Sequence, residues 1–135
     1  MKLVIDASCG IGLLMPDEQD PLSKAAHKAM KAGVETWVPA HWAVEIANML
    51  RHAEPKRITA TQSAALCAYA QALPVRIDSE TFRRAFSETL VLAKAHGLTV
   101  YDAAYLELAM RKDARLATKD ADLAKAAKAV GVLSL

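Results

Sequence analysis

The chain has 135 residues, enough to bury one hydrophobic core, and this length predicts a single domain over residues 1–135. Its composition, 53% hydrophobic and 24% charged, is ordinary for a soluble globular protein. The formal net charge of +2 is too small to argue for nucleic-acid binding by itself. It does not exclude such binding, because 15 acidic residues offset 17 basic ones and the two signs could lie on different surfaces.

The apolar runs exclude a membrane-spanning helix, since the longest is far shorter than the roughly 20 residues that a bilayer requires. The first residues lead directly into a predicted strand, so we expect no signal peptide. Cys9 and Cys67 form neither a disulfide framework nor a CxxC metal motif, which fits a reducing cytoplasm. We therefore expect a cytoplasmic protein without a membrane partner.

Short β-branched runs alternate with longer segments rich in alanine and leucine, a pattern typical of a parallel sheet covered by helices on both faces. The pattern predicts five strands, at Leu3–Asp6, Thr36–Val38, Val75–Ile77, Arg115–Ala117 and Val132–Leu135. It predicts seven helices, at Ser8–Leu14, Pro21–Ala32, His41–His52, Thr59–Ala72, Thr81–His96, Val100–Lys112 and Ala121–Val130. Right-handed crossovers would stack these units into a three-layer α/β/α sandwich with a central parallel sheet.

Four carboxylates stand at equivalent places on four of these units. Asp6 and Asp120 follow predicted strands, whereas Glu45 and Asp102 lie in the first turns of predicted helices. In an alternating β/α chain these positions converge on the carboxyl edge of the sheet, where ligands of such folds bind. The sequence therefore predicts an acidic site at this edge.

Each acid also has a structural explanation that the sequence leaves open. Asp6 could be a turn residue before a helix that Ser8 caps, and Glu45 could mark the boundary of an amphipathic helix. Asp102 could complete a capping box with the threonine three positions before it, and Asp120 could cap the last helix. Two further acids could occupy the same edge, namely Asp78 and Asp122.

Several carboxylates packed together raise one another's pKa values, and a divalent cation removes that repulsion. Ligation by oxygen alone suits Mg²⁺ or Mn²⁺. His41 and Glu45 could share a zinc ion, but no third nitrogen or sulfur ligand stands at a suitable spacing. A bound Mg²⁺ or Mn²⁺ can activate a water and neutralise charge on a phosphodiester. The chain has no P-loop, GxGxxG or GxSxG motif to support other sites.

Four short segments resemble the motifs of PIN domains in order and spacing. They are VIDAS at 4–8, VPAHWAVEIANML at 38–50, LTVYDAAY at 98–105 and LATKD at 116–120. The similarity extends over nearly the whole chain and is that of VapC-type toxin ribonucleases. It implies a PIN-like fold and a metal-dependent endoribonuclease that uses Mg²⁺ or Mn²⁺. It also implies a homodimer that a small antitoxin protein neutralises.

The resemblance implies roles for individual residues. Four residues match the metal-binding acids of the family: Asp6, Glu45, Asp102 and, for the more variable fourth acid, Asp120. Asp122 is the alternative for that fourth position, through a water, whereas Asp78 matches a strand end that the family does not use in catalysis. Three residues match positions that support the site: Ser8, Asn48 and Thr118.

We expect a water, and not the ribose 2′-OH, to attack phosphorus, because the acids cluster and no pair of histidines is suitably placed. Three other hypotheses stay open. The chain could be a PIN-type RNA-processing nuclease without an antitoxin, a receiver-like phosphoryl-transfer domain that uses Lys119, or an inactive binding domain. The helices predicted at 59–72 and 81–96 are candidate faces for a dimer or an antitoxin. Candidates for phosphate contacts are Lys56, Arg57, Arg83 and Arg84.

Overall fold

A computed structural model describes residues 1–18 and 20–135 of the chain. These residues form four strands, β1 (Lys2–Ile5), β2 (Glu35–Val38), β3 (Val75–Ile77) and β4 (Arg115–Ala117). They also form eight α-helices, α1 (Ala7–Leu14), α2 (Pro21–Lys31), α3 (Trp42–Ala53), α4 (Ala60–Ala72), α5 (Thr81–Arg84), α6 (Leu90–His96), α7 (Val100–Lys112) and α8 (Ala121–Ala129). A π-helical turn, Ala85–Thr89, joins α5 to α6, so the helix predicted at 81–96 is continuous. Within the described ranges, no helix is both long and apolar enough to cross a membrane.

The four strands form one parallel sheet in the order β3–β2–β1–β4. Val4 of β1 pairs with Trp37 of β2 on one side and with Leu116 of β4 on the other. β2 and β3 are added in turn on one side of β1, and β4 then pairs with the opposite side of β1. This reversal creates a crevice between the carboxyl ends of β1 and β4, which is where open α/β sheets bind ligands.

Helices cover both faces of this sheet. α7 packs across β1, β2 and β4 and contacts α6 and α8, whereas α1 contacts α2, α3 and α4. β1 forms the centre of the core, because Leu3, Val4 and Ile5 are fully buried. Central parallel strands are covered on both faces, which explains the continuous apolar run in β1. The predicted three-layer α/β/α sandwich is confirmed.

The prediction of a fifth strand at Val132–Leu135 is wrong. The segment makes a single parallel bridge, between Ser134 and Leu116 of β4. Leu116 donates its N–H to Leu133 O at 2.9 Å, and its own carbonyl accepts the Leu135 N–H at 3.3 Å. Since β4 contains only three residues and meets the segment at Leu116, these contacts form a bridge instead of a ladder.

Helix ends follow the local sequence signals with one exception. Three glycines take positive φ angles just beyond helix ends, where glycine is favoured: Gly33, Gly97 and Gly131. The prediction that Ser8 caps the first helix is wrong, because α1 already begins at Ala7. Asp6 takes the cap position instead, and its side chain accepts the Cys9 N–H.

A buried ion pair joins the end of β3 to α7. Asp78 is 4% exposed and accepts hydrogen bonds from the Arg111 guanidinium at 2.7 and 3.1 Å. Arg111 also donates to Glu107 at 2.8 Å. Burial tends to raise the pKa of Asp78, but the hydrogen bonds and charge of Arg111, together with hydrogen bonds from the Glu80 N–H and Thr81, hold that pKa below its ordinary value. An arginine therefore neutralises this acid, which explains its presence at the sheet edge without any ligand.

We expect Asp78→Asn to lower the free energy of unfolding at pH 7 by about 2 kcal/mol. Complete loss of a buried partner costs roughly 3–5 kcal/mol, and Glu107 still faces Arg111 in this variant. An acid with a lowered folded-state pKa stabilises the fold above its unfolded pKa, so the effect should shrink as the pH falls below about 4. Urea unfolding at a series of pH values measures both quantities.

Asp17→Asn is the matched control for this prediction. Asp17 pairs with Arg57 at 2.7 Å, but both side chains are about half exposed, so the loss of this pair should change stability little. Equal losses of stability in the two variants would show that burial of the Asp78 pair has no special importance.

Candidate active site

The four predicted acids lie on four different elements and meet at the carboxyl edge of the sheet. Asp6 follows β1, Glu45 lies in the first turn of α3, Asp102 lies in the first turn of α7, and Asp120 precedes α8. Their proximity is visible in the electrostatics. Burial raises the pKa of Asp102, and the charges of Asp120, Glu45 and Asp6 raise it further. The structure therefore places the other three acids that the sequence indicated within electrostatic reach of Asp102.

Asp6 is the most buried of the four, at 3% exposure. Its Oδ1 accepts hydrogen bonds from Ser8 Oγ at 2.7 Å and from the Cys9 N–H at 2.8 Å, and its Oδ2 accepts one from Thr118 Oγ1. Burial raises the pKa of Asp6 although all three hydrogen bonds oppose the shift. Thr118 Oγ1 also accepts the Asp120 N–H at 3.0 Å, so one hydroxyl connects the end of β1 to the loop after β4.

Glu45 is partly buried and is held by two side chains that contact the same oxygen. Its Oε1 accepts a hydrogen bond from the Tyr105 hydroxyl at 2.6 Å and lies 3.2 Å from His41 Nε2. Burial tends to raise the pKa of Glu45, but the hydrogen bonds from His41 and Tyr105 outweigh it and lower that pKa. Sequence reasoning gave Tyr105 no role. Its position three residues after Asp102, on the same side of α7, is the signal that could have indicated it.

Asp102 and Asp120 are both placed by helix starts. Asp120 Oδ1 accepts the Leu123 N–H at 2.8 Å and caps α8, as the sequence allowed. At the start of α7 the structure shows one half of the predicted capping box, in which the Asp102 N–H donates to Thr99 Oγ1 at 3.1 Å. Asp122 is exposed, and it is the charge of Asp120 that raises the pKa of Asp102. Asp120, and not Asp122, therefore lies beside the other acids.

Asn48 and Cys9 lie in different surroundings. Asn48 is exposed on α3, one turn after Glu45. Cys9 is fully buried, and burial raises the pKa of its thiol to about 12. A thiol that stays protonated is a poor nucleophile, so Cys9 has no chemical role in this site.

Lys119 adds a cation beside the Asp6 turn. Its N–H donates to Ser8 Oγ at 2.9 Å, and its Nζ lies 3.1 Å from Asp20 Oδ2. Burial tends to lower the pKa of Lys119, but the hydrogen bond and charge of Asp20 raise it overall. Three of the predicted phosphate contacts instead form ion pairs with neighbouring acids: Arg57, Arg83 and Arg84.

The donor chemistry of the site suits a hard divalent cation. All four side chains are carboxylates, and burial together with the charges of the other three acids raises the pKa of Asp102. In residues 1–18 and 20–135, no three His, Cys, Asp or Glu side chains are grouped closely enough to hold one ion. Three hydrogen bonds hold the carboxylate of Asp6 and two contacts hold that of Glu45. The donor atoms therefore suit a divalent cation by chemistry and charge, although the described residues form no closed set of ligands.

We expect Asp102→Asn to stabilise the metal-free protein at pH 7 by up to about 1 kcal/mol, because it removes repulsion in a partly exposed, screened cluster. An acid with a raised folded-state pKa destabilises the fold where it is charged, so the gain should disappear as the pH falls below that pKa. Thermal unfolding in EDTA at pH 7 and pH 4 measures this difference. Asp122→Asn, on the exposed side of α8, is the control and should change little. Equal stabilisation by both variants would contradict the convergence of the four acids.

Comparison with known proteins places the chain in a family. The PIN-domain profile matches residues 3–129 of the chain. Ribonuclease VapC3 of Pyrobaculum aerophilum is 35% identical over 130 residues, which cover 93% of this chain and 94% of that protein.

Two crystal structures share the fold. PAE2754 from Pyrobaculum aerophilum is 22% identical, with a TM-score of 0.71 over 99% of this chain and 83% of that chain. VapC20 of Mycobacterium tuberculosis, a toxin that cleaves the sarcin–ricin loop, is 17% identical, with a TM-score of 0.65 over 99% and 98% of the two chains. The chain belongs to the PIN-domain family and groups there with the VapC-type ribonucleases.

Proposed function

We propose that the protein is a metal-dependent endoribonuclease and the toxin of a toxin–antitoxin pair. The observation that carries this proposal is the convergence of four carboxylates at one edge of the sheet, where the charges of Asp120, Glu45 and Asp6 all act on Asp102. The relationship to VapC3, a ribonuclease, supports RNA as the substrate. VapC20 is an example of a toxin built on the same fold.

Four residues would hold the metal: Asp6, Glu45, Asp102 and Asp120. Since all their donors are oxygen atoms, the ion would be Mg²⁺ or Mn²⁺. When bound, such an ion activates a water and neutralises charge on the phosphate that is cleaved. Ser8 and Thr118 support the site by holding both oxygens of Asp6 in place. Asn48 would act from the exposed side of α3, beside Glu45.

The histidines argue for attack by water on the phosphorus atom. Attack by the ribose 2′-OH needs a general base and a general acid, a task that histidine performs most often. Among the described residues, His41 is the only histidine in contact with one of the four acids. Its Nε2 is already within 3.2 Å of Glu45 Oε1 and 3.1 Å of Tyr101 O. A second histidine to complete the pair is not in contact with these acids in the described structure.

RNA, a small antitoxin protein and a second copy of the chain are the proposed partners, and a cytoplasmic location would give access to all three. Two apolar features suit protein contacts. One is a cavity of about 390 Å³ between α3, α4 and the edge formed by β2 and β3. The other is the exposed pair Phe82 and Phe86, whose rings stack edge to face on the helical run at 81–96. Both lie on the helices that the sequence indicated, and neither includes the four acids.

A receiver-like phosphoryl-transfer domain is not supported. Such a site needs a free lysine near a nucleophilic aspartate, but Lys119 Nζ is paired with Asp20 and Glu18. Glu45, which has no place in a receiver site, lies among the acids. An RNA-processing nuclease would use the same residues as a toxin, so growth after expression is the observation that separates these two functions.

We expect induced expression of the wild type to arrest bacterial growth and to create new RNA 5′ ends. Asp6→Asn and Asp102→Asn should each slow cleavage by about 100-fold or more, the loss typical when one charge-stabilising group leaves an active site. Growth curves and sequencing of RNA 5′ ends measure both effects, with Asp122→Asn as the control that should stay toxic. Persistent arrest in both site variants, at matched protein levels, would refute a carboxylate-dependent toxin.

We expect cleavage of a synthetic RNA by the purified protein to stop in EDTA and to return when Mg²⁺ or Mn²⁺ is added in excess. Hydrolysis by water leaves no 2′,3′-cyclic phosphate, because the ribose 2′-OH does not attack. Mass spectrometry of the RNA fragments distinguishes these ends. Fragments that carry 2′,3′-cyclic phosphate, or full cleavage in EDTA, would rule out the proposed chemistry.

A further inference from the structure

Both contacts that hold Glu45 meet one of its two carboxylate oxygens. The Tyr105 hydroxyl donates to Oε1 at 2.6 Å, and His41 Nε2 lies 3.2 Å from the same atom. In residues 1–18 and 20–135, no hydrogen bond or ion pair involves Oε2 of Glu45. The carboxylate is therefore fixed on one side and open on the other.

Tyr105 belongs to the hydrophobic core and does not lie on the surface of the site. Its side chain is fully buried, and a buried hydroxyl without a partner would destabilise the fold. The buried hydroxyl has Glu45 Oε1 as its acceptor and therefore acts as a donor. The ring is thus a rigid element of the core whose single polar atom points at one of the four acids.

His41 also contacts α7. Its Nε2 lies 3.1 Å from Tyr101 O, at the start of α7. Its ring packs edge to face against Tyr105, with the ring centroids 5.2 Å apart, and lies 5.9 Å from the ring of Tyr101. Since Tyr101 and Tyr105 belong to α7 and His41 precedes α3, these contacts join the two helices that carry Asp102 and Glu45.

We propose, on the basis of the metal site proposed above, that Tyr105 and His41 are positioning residues. They hold Glu45 through Oε1 and leave Oε2 as the oxygen that this residue offers to the cation. Partners of this kind fix the orientation of a ligand before the ion arrives, and losing one typically weakens metal affinity by about 10- to 100-fold. A role confined to packing predicts no such loss, because the ring alone fills the core.

The test is Mn²⁺ binding to the purified chain, measured by titration calorimetry. Tyr105→Phe keeps the buried ring and removes only the hydroxyl. We expect the Kd for Mn²⁺ to rise about tenfold, with unchanged stoichiometry. In RNA cleavage, the Mn²⁺ concentration for half-maximal activity should rise by a similar factor, while kcat at saturating Mn²⁺ stays close to that of the wild type. Loss of fold would lower kcat at every Mn²⁺ concentration and would not produce this separation.

Tyr69→Phe is the matched control. The Tyr69 hydroxyl lies 2.9 Å from His27 Nε2, so this variant also removes a hydroxyl from a Tyr–His contact, between α4 and α2. It touches none of the four acids, and we expect its Kd for Mn²⁺ to equal that of the wild type. Thermal unfolding in EDTA confirms that each variant is folded before the titration.

An unchanged Kd in folded Tyr105→Phe would overturn this proposal. If Tyr105→Phe does not fold, His41→Ala decides, since its contact is partly exposed: a raised Kd supports the proposal, and an unchanged Kd overturns it. A wild type that binds no Mn²⁺, or Glu45→Gln with wild-type affinity, would remove the proposed metal site and this proposal with it. If the wild type binds Mn²⁺ and folded Tyr105→Phe binds it with the same Kd, the positioning proposal is overturned while the proposed metal site stands.

Discussion

The contact between Thr118 and Asp6 joins the two strands whose carboxyl ends form the crevice. β1 and β4 are neighbours because the chain reverses direction in the order of the sheet, and the Asp6 N–H extends their pairing by one bond to Ala117 O at 3.1 Å. The Thr118 hydroxyl then holds Oδ2 of Asp6 and accepts the Asp120 N–H. Two acids on segments more than 100 residues apart in sequence are thus fixed by one side chain, and this depends on the topology of the sheet.

Of the other two acids, Glu45 is held by side-chain contacts between helices, and Asp102 lies at the start of one of these helices. Glu45 on α3 and Asp102 on α7 are related through Tyr105 and His41, which connect the starts of these helices. The sheet therefore positions one half of the site and the aromatic contacts position the other. Such preorganisation matters because bringing like charges together is unfavourable, and the folded core must hold them against their repulsion.

The sequence predicted those features that depend on position along an element. Strand ends and first helical turns lie at one edge in any parallel β/α fold, so Asp6 and Asp120 could be placed before the structure was known. Local patterns could not show that the apolar segment at 132–135 lacks a ladder partner, because its bridge depends on the length of β4. They also could not reveal the contact of Tyr105 with Glu45, since these residues are 60 positions apart and meet only through tertiary packing.

Two kinds of carboxylate share the carboxyl edge of the sheet, and their surroundings separate structure from function. Asp78 is buried against Arg111, and its pKa lies below the ordinary value, so the fold itself supplies the compensating charge. Asp6 and Asp102 have raised pKa values, and the charges facing Asp102 belong to other acids. The fold thus neutralises one edge carboxylate with an arginine but leaves Asp102 facing the charges of three other acids, which is the arrangement on which the proposed metal site rests. The sequence does not show this contrast, because Asp78 and Asp6 both follow an apolar strand.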